Sequence, residues 1–212
     1  YEDQDFVNQD LLCINGTKTQ SCDGTPVAGT TITLTNTTGY SDTRITGTDG
    51  TYSFCGLYPG TYTISEVLGA GEVQISGPTN PIVLECEDYE DQDFVNQDLL
   101  CINGTKIDDC TGEGLEGWII TLTKPDGSIV TDTTDEDGDY SFCGLMPGDY
   151  TVTETVEDGW TNVTQVSIPV TLNCENVTGQ DFTNQKLLCI NGTKTRLCDG
   201  TGVSGWTITL TN

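Results

Sequence analysis

The stretch TDGTYSFCGLYPGTYTISEV, Thr48–Val67, holds two strand patterns and two turns. Tyr52 and Phe54 alternate with polar neighbours, and so do Tyr62 and Ile64. A period of two is the mark of a strand with one buried face. Asp49-Gly50 opens the stretch and Pro59-Gly60 divides it, two dipeptides whose backbone preferences suit a chain reversal. Outward in both directions, Thr, Val, Ile and aromatic residues go on alternating over short runs, and no amphipathic segment of helical length interrupts them. The expected strands of this unit are Leu11–Lys18, Gly29–Asn36, Thr43–Thr48, Thr51–Gly56, Thr61–Val67, Glu72–Ser76 taken together with Ile82–Leu84, and Gln92–Gln97. Seven short strands predict an all-β, Ig-like sandwich of two sheets.

The unit recurs. DFVNQDLLCINGTK begins at Asp5 and again at Asp93, and DFTNQKLLCINGTK begins at Asp181, an offset of 88 residues (93 − 5 and 181 − 93) without insertion or deletion. A fixed period of this size means tandem copies of one small domain. Such a domain buries only about 60–65% of its unfolded surface, so covalent reinforcement is expected. The ten cysteines fall in register: Cys13, Cys101 and Cys189; Cys22, Cys110 and Cys198; Cys55 and Cys143; Cys86 and Cys174. With no CxxC pair and no histidine, they read as disulfides made in an oxidising compartment, not as a zinc site. Four cysteines per repeat allow three pairings. The pairing favoured by the sequence joins Cys13 to Cys22, and Cys55, near the Pro-Gly turn, to Cys86, which precedes the closing strand.

Seven basic against 33 acidic residues give a net charge of −26. That argues against nucleic acid and anionic membranes as partners and describes a solvated, self-repelling surface. No apolar run approaches the roughly 18 residues of a membrane span. No signal peptide or initiator Met is seen; the chain opens at Tyr1 in mid-repeat and ends at Asn212, the counterpart of Asn36, as a mature product or a window of something longer would.

Thr134–Trp160, TDEDGDYSFCGLMPGDYTVTETVEDGW, repeats the opening stretch one period on. Both resemble the signature of the prealbumin-like B-type domains of bacterial and archaeal surface proteins, among them the collagen-adhesin B repeats and the serine-aspartate-repeat B domains. That signature runs strand, Asp-x-x-Gly turn, aromatic strand, Leu-x-Pro-Gly turn, then Tyr-x-x-x-Glu. Lys18–Leu34, KTQSCDGTPVAGTTITL, is similar to the family's lysine followed at eleven residues by the glycine that opens a Thr/Val strand. NQKLLCINGTK with CENVTGQDF is also similar to large secreted repeat proteins of methanogenic archaea. The resemblance covers essentially the whole chain and implies that the Asp-Phe strand closes one domain and the next begins at once. The expected organisation is then a closing strand of a preceding repeat (1–9), two complete repeats joined head to tail without a linker (10–97 and 98–185), and the first two strands of a third (186–212).

Three of the seven basic residues, Lys18, Lys106 and Lys194, occupy one repeat position. Strand alternation puts Lys18 on the face of Leu12 and Ile14, Glu66 on the face of Tyr62 and Ile64, and Asn96 on the face of Phe94. All three point inward, and Lys106, Glu154 and Asn184 repeat the arrangement. A buried ammonium or carboxylate without a partner is costly, so each trio is expected to be in mutual contact. In the resembling collagen-adhesin B domains such a trio forms an isopeptide, in which Lys attacks the Asn carboxamide, Glu shuttles protons and ammonia leaves. The resemblance thus implies Lys18–Asn96 bonds assisted by Glu66 and Lys106–Asn184 bonds assisted by Glu154. The alternative is a Lys–Glu salt bridge, with Asn merely ending a strand.

Other signals are weaker. Asn15, Asn36, Asn103, Asn162, Asn176 and Asn191 stand in N-x-[ST] context and are candidate glycan acceptors. Asp135, Asp137 and Asp139 form D-x-D-G-D, a candidate calcium loop, but the first repeat has Gly47, Asp49 and Thr51 there, which favours solvated turn acids. Apart from that candidate calcium site no cofactor is expected. Trp118, Trp160 and Trp206 could stack on a ligand; Trp118 and Trp206 share a repeat position that is Thr30 in the first copy, and packing is the preferred reading.

The leading expectation of function is structural: an extracellular, cell-surface repeat protein that builds a stalk, filament or surface layer by self-association or through neighbouring repeats. The alternative is an adhesin or ligand-binding module, which would need a set of side chains on one face departing from the packing pattern. An enzyme is not expected, because there is no His, no free Cys is expected, and there is no Gly-rich phosphate loop.

Overall fold

The computed structural model describes residues 9–211. The first repeat contributes β1 (Leu12–Gln20), β2 (Thr31–Asn36), β3 (Ser41–Ile45), β4 (Thr51–Leu57), β5 (Gly60–Glu66), β6 (Glu72–Ser76), β7 (Ile82–Leu84) and β8 (Phe94–Asp98). The second contributes β9 (Leu100–Asp108), β10 (Ile119–Thr123), β11 (Ile129–Thr133), β12 (Asp139–Leu145), β13 (Gly148–Glu154), β14 (Trp160–Asn162), β15 (Ser167–Leu172) and β16 (Phe182–Lys186). Each repeat is a sandwich of two four-stranded sheets, ordered β4-β1-β8-β6 and β3-β2-β5-β7 in the first, β12-β9-β16-β14 and β11-β10-β13-β15 in the second. The expected all-β sandwich is therefore the fold, in two copies.

The strand count is eight, not seven. Glu72–Ser76 and Ile82–Leu84, read as one interrupted strand, belong to different sheets: β6 pairs with β8 and β7 with β5. Between them Asn80 clasps β5, accepting from the Ile64 N–H at 2.9 Å and donating to the Ile64 carbonyl at 2.8 Å. This clasp carries the chain from one sheet to the other, and a period-two pattern on both sides of it cannot report the change.

Two residue sets fill the sandwiches. Ile14, Ile32, Leu34, Phe54, Ile64 and Phe94 meet in the first core, and Ile102, Ile120, Leu122, Phe142, Val152 and Phe182 in the second. Each fully buried aliphatic or aromatic side chain contributes about 1.5–3 kcal/mol. The closing strands β8 and β16 lie parallel to β1 and β9, with Lys18 opposite Phe94 and Lys106 opposite Phe182. Parallel pairing means that the chain leaves a repeat at the end opposite to its entry. β8 ends at Asp98 and β9 starts at Leu100, so one residue, Leu99, separates the sandwiches.

The expected first and second strands of a third repeat are not formed among the described residues. Leu187–Lys194 carries no strand, one isolated bridge joins Thr195 to Gly202, and Leu188, Ile190 and Leu197 are exposed. In the complete repeats the same word is held by partners far along the chain, Cys13 by Cys55 and Lys18 by Phe94. No such partner, one period on from Cys143 or Phe182, is among the described residues. The expected closing strand 1–9 lies, but for Gln9, outside the described residues.

Glycine in the repeated Asn-Gly-Thr word has a packing reason. At Gly16 the backbone passes against the Gln92 carbonyl and the Tyr52 hydroxyl, and an added Cβ would meet that hydroxyl at 2.6 Å; Gly104 repeats this against Gln180 and Tyr140. The two tyrosines donate to those same carbonyls, and burial pushes both phenols up, so they remain donors. Gly104→Ala is expected to destabilise the second repeat by about 1–3 kcal/mol or more, through overpacking of a site lined by backbone. Thermal unfolding of the variant beside wild type measures it, and an unchanged midpoint would refute the close-approach account.

Candidate functional site

Each sandwich buries one lysine in its apolar core. Lys18 and Lys106 are both fully buried, on β1 and β9, beside Asn96 and Asn184 of the adjoining parallel strands. The carboxylates come from the facing sheet, Glu66 at the end of β5 and Glu154 at the end of β13. In the first repeat Lys18 Nζ is 2.5 Å from Glu66 Oε2, and Asn96 Nδ2 donates to Glu66 Oε2 at 3.2 Å and to Glu72 Oε2 at 3.3 Å. The second repeat is looser: Lys106 Nζ is 3.5 Å from Glu154 Oε2 and donates to the Phe182 carbonyl at 3.2 Å. Both Asn184 amide atoms are buried without a hydrogen-bond partner, as are both Glu154 oxygens.

Sequence comparison at the 88-residue offset explains the difference. Thr30 and Glu72 of the first repeat become Trp118 and Trp160 in the second. Those two rings pack edge to face with centroids 5.6 Å apart, and Lys106 Nζ lies 4.5 Å from the Trp118 centroid. An acidic partner has been exchanged for an apolar lid. Burial holds the Lys106 amine below the usual lysine range and pushes the Glu154 carboxyl up, both against the pull of their mutual charge. The tryptophan contact to lysine and the role of Glu72 escaped the sequence reading, although the register of the copies carried both.

The other candidate residues are placed differently. Asp135 Oδ1 accepts from the Asp137 and Asp139 N–H groups at 3.0 and 2.9 Å, and Asp139 Oδ1 accepts from Thr105 Oγ1 at 2.7 Å. The Asp135 carboxylate ties its own turn, that of Asp139 ties the turn to β9, and no grouping of three or more metal-ligating side chains occurs among the described residues. Asn15 and Asn103 are half-buried and accept from Ser53 and Ser141, Asn36 holds the turn to Tyr40, and Asn176 accepts from the Cys101 N–H. Asn162 and Asn191 are exposed.

The disulfides correct the favoured pairing. Cys13 is bonded to Cys55 and Cys101 to Cys143, each across the adjacent strands β1–β4 and β9–β12, with Cα atoms 4.1 Å apart. Cys13 and Cys22 instead sit at opposite ends of a nine-residue strand, roughly 30 Å apart. Cys22 is bonded to Cys174 of the second repeat, and Cys86, Cys110, Cys189 and Cys198 are exposed and unbonded among the described residues.

A family model described as SpaA, prealbumin-like fold domain, matches residues 13–97 and 101–186. The chain is 32% identical over 190 residues to colossin-A of Dictyostelium discoideum, covering 82% of this chain and 2% of that protein. It is 30% identical over 161 residues to serine-aspartate repeat-containing protein F of Staphylococcus epidermidis, covering 64% of this chain and 9% of that protein. It thus spans a small fraction of the relatives it matches. Among solved structures, a shaft pilin SpaA double mutant from Lactobacillus rhamnosus GG aligns with 87% of this chain and all of its own length, at 12% identity and a TM-score of 0.42.

The buried and exposed ion pairs should respond unequally to truncation. Glu66→Ala leaves the Lys18 ammonium buried without its partner, an expected loss of about 3–5 kcal/mol. Asp42→Ala breaks only the exposed pair with Arg44, an expected loss below about 1 kcal/mol. Urea unfolding of the two variants measures the contrast, and equal losses would contradict it.

Proposed function

The chain belongs to the family of SpaA prealbumin-like fold domains, and from that premise we propose that it is a segment of an extracellular structural protein, a stalk or filament of the cell surface built from tandem sandwiches. The observation that carries this reading is the joint. One residue separates β8 from β9, and its N–H is spent on the first sandwich, Leu99 donating to the Gly71 carbonyl at 2.7 Å. A joint without slack transmits force from one domain to the next instead of uncoiling a linker. Entry and exit at opposite ends extend the array with each added repeat, and a charge of −26 keeps such arrays soluble. Electron microscopy of native material from the cell surface tests this: continuous fibres or surface arrays are expected, and dispersed single molecules would overturn it.

The buried trio of the second repeat supports a second, chemical element of the same reading, an internal crosslink in that repeat. Neutral Lys106 Nζ attacks Asn184 Cγ, the new amide forms, and Nδ2 departs as ammonia. Protonated Glu154 gives its proton to the leaving nitrogen and recovers one from the attacking amine. Burial favours the neutral amine and the protonated acid this step needs. The unpartnered Asn184 amide is the group the reaction would consume. Intact mass after disulfide reduction is expected to fall short of the sequence mass by one ammonia per bond, and Lys106→Ala is expected to remove the deficit of the second repeat. A full sequence mass for the wild-type chain would end the crosslink proposal and leave the stalk reading in place.

A further inference from the structure

Two of the three disulfides lie within a repeat, and the third does not. Cys22–Cys174 closes a separation of 152 residues with Cα atoms 5.6 Å apart. Cys174 is the counterpart of Cys86 one period on, so this bond runs from the Cys22 position of one repeat to the Cys86 position of the next. Topology brings both positions to the joint. Cys22 follows the end of β1 and lies beside the end of β8, its Sγ 3.3 Å from Gln97 Oε1 and 3.3 Å from the Asn173 carbonyl. Cys174 follows β15, in the loop whose Asn176 side chain holds the start of β9 through the Cys101 N–H at 2.8 Å.

The same local structures recur at the outer ends, with nothing bonded there. Cys110 occupies the Cys22 position of the second repeat, with Gln185 Nε2 3.7 Å from its Sγ. Cys86 occupies the Cys174 position of the first, and Asp88 accepts the Cys13 N–H at 2.8 Å as Asn176 accepts that of Cys101. Both thiols are exposed. They cannot be closed inside their own repeats, because the two positions lie at opposite ends of a sandwich whose β1 alone is roughly 30 Å long, while bonded cysteines need Cα atoms within about 7 Å.

We infer that Cys22–Cys174 is one rung of an inter-repeat disulfide ladder, with Cys110 and Cys86 as its open ends, each shaped to take the cysteine of a further repeat of this 88-residue kind. The inference rests on the tandem-array reading and specifies how its joints are locked. Each rung forms when two thiols lose two protons and two electrons to a disulfide oxidant, which departs as two thiols or a dithiol. The chain then crosses every joint twice, once as backbone through Leu99 and once through sulfur.

Thiol mapping tests the ladder. The 212-residue chain, oxidised with glutathione disulfide, is alkylated without reduction and its peptides are identified by mass spectrometry. A linked Cys22–Cys174 peptide is expected, with Cys86 and Cys110 alkylated, or joined to each other only in dimers, where a second copy serves as the next repeat. Cys22→Ser should expose Cys174 to alkylation and leave Cys86 unchanged in state; new labelling at Cys86 would mean pairing within the repeat and would overturn the ladder. A chain with residues 98–185 duplicated after Gln185, the inserted copy carrying Cys110→Ser, should protect Cys110 by linkage to the Cys174 counterpart of the inserted copy, and Cys110 still labelled in that chain would overturn it too. Either negative result leaves the microscopy of native arrays to judge the stalk reading separately.

Discussion

The parallel pairing of the closing strand with the opening strand is the constraint on which the rest depends. β8 lies against the last third of β1 and β16 against that of β9, contacts made between residues some 76 positions apart. That register sets Asn96 on the strand beside Lys18 and Asn184 beside Lys106, so one pairing both closes the fold and assembles the buried polar trio. It also fixes where the chain leaves. A strand antiparallel to β1 would bring the exit back to the entry and fold successive repeats side by side; the parallel strand sends each repeat onward. Because this contact spans nearly a whole repeat, it is entropically the last to be rewarded during folding. Short-range elements such as β4–β5 are the ones that sequence patterns report best.

Legibility followed the same division between local and distant contacts. Strands, turns, core faces and the inward lysine, glutamate and asparagine could all be read from alternation, since the period of two fixes which side chains face inward. The sheet change between β6 and β7 was illegible because it depends on Asn80 reaching back to Ile64, a contact that leaves no trace in periodicity. Disulfide partners were illegible for a stronger reason. Cys13 and Cys22 are neighbours in sequence and opposite poles in space, whereas Cys22 and Cys174 are distant in sequence and neighbours at the joint. The third copy of the opening word carries nearly the same residues and forms no strand among the described residues, in keeping with strand preference depending on context more than on propensity.

The two lysine sites show one constellation under two environments. In the first repeat, Glu66 and Glu72 both accept from Asn96, and Lys18 Nζ makes a short contact with Glu66. In the second, two tryptophans replace Thr30 and Glu72, the Lys–Glu contact lengthens, and the Asn184 amide is left without partners. Aromatic cover excludes water and destabilises the charged forms of both Lys106 and Glu154, and loss of the acid removes a partner for the asparagine amide. The second site is thereby prepared for chemistry that needs a neutral amine.

Solubility and cohesion make opposite demands on such an array, and the joint reconciles them. A net charge of −26 over 212 residues pushes neighbouring sandwiches apart over about 8 Å at physiological ionic strength, so little of the joint can be held by loose electrostatics. Apolar glue would satisfy cohesion but would invite association with unrelated surfaces. A disulfide at the joint is indifferent to charge and to salt, and it demands only that two loops arrive within bonding distance. The parallel exit strand and the single-residue connection supply that alignment. In the proposed array, cohesion is then placed in covalent bonds at fixed points, and the rest of the surface remains free to be acidic, solvated and repulsive.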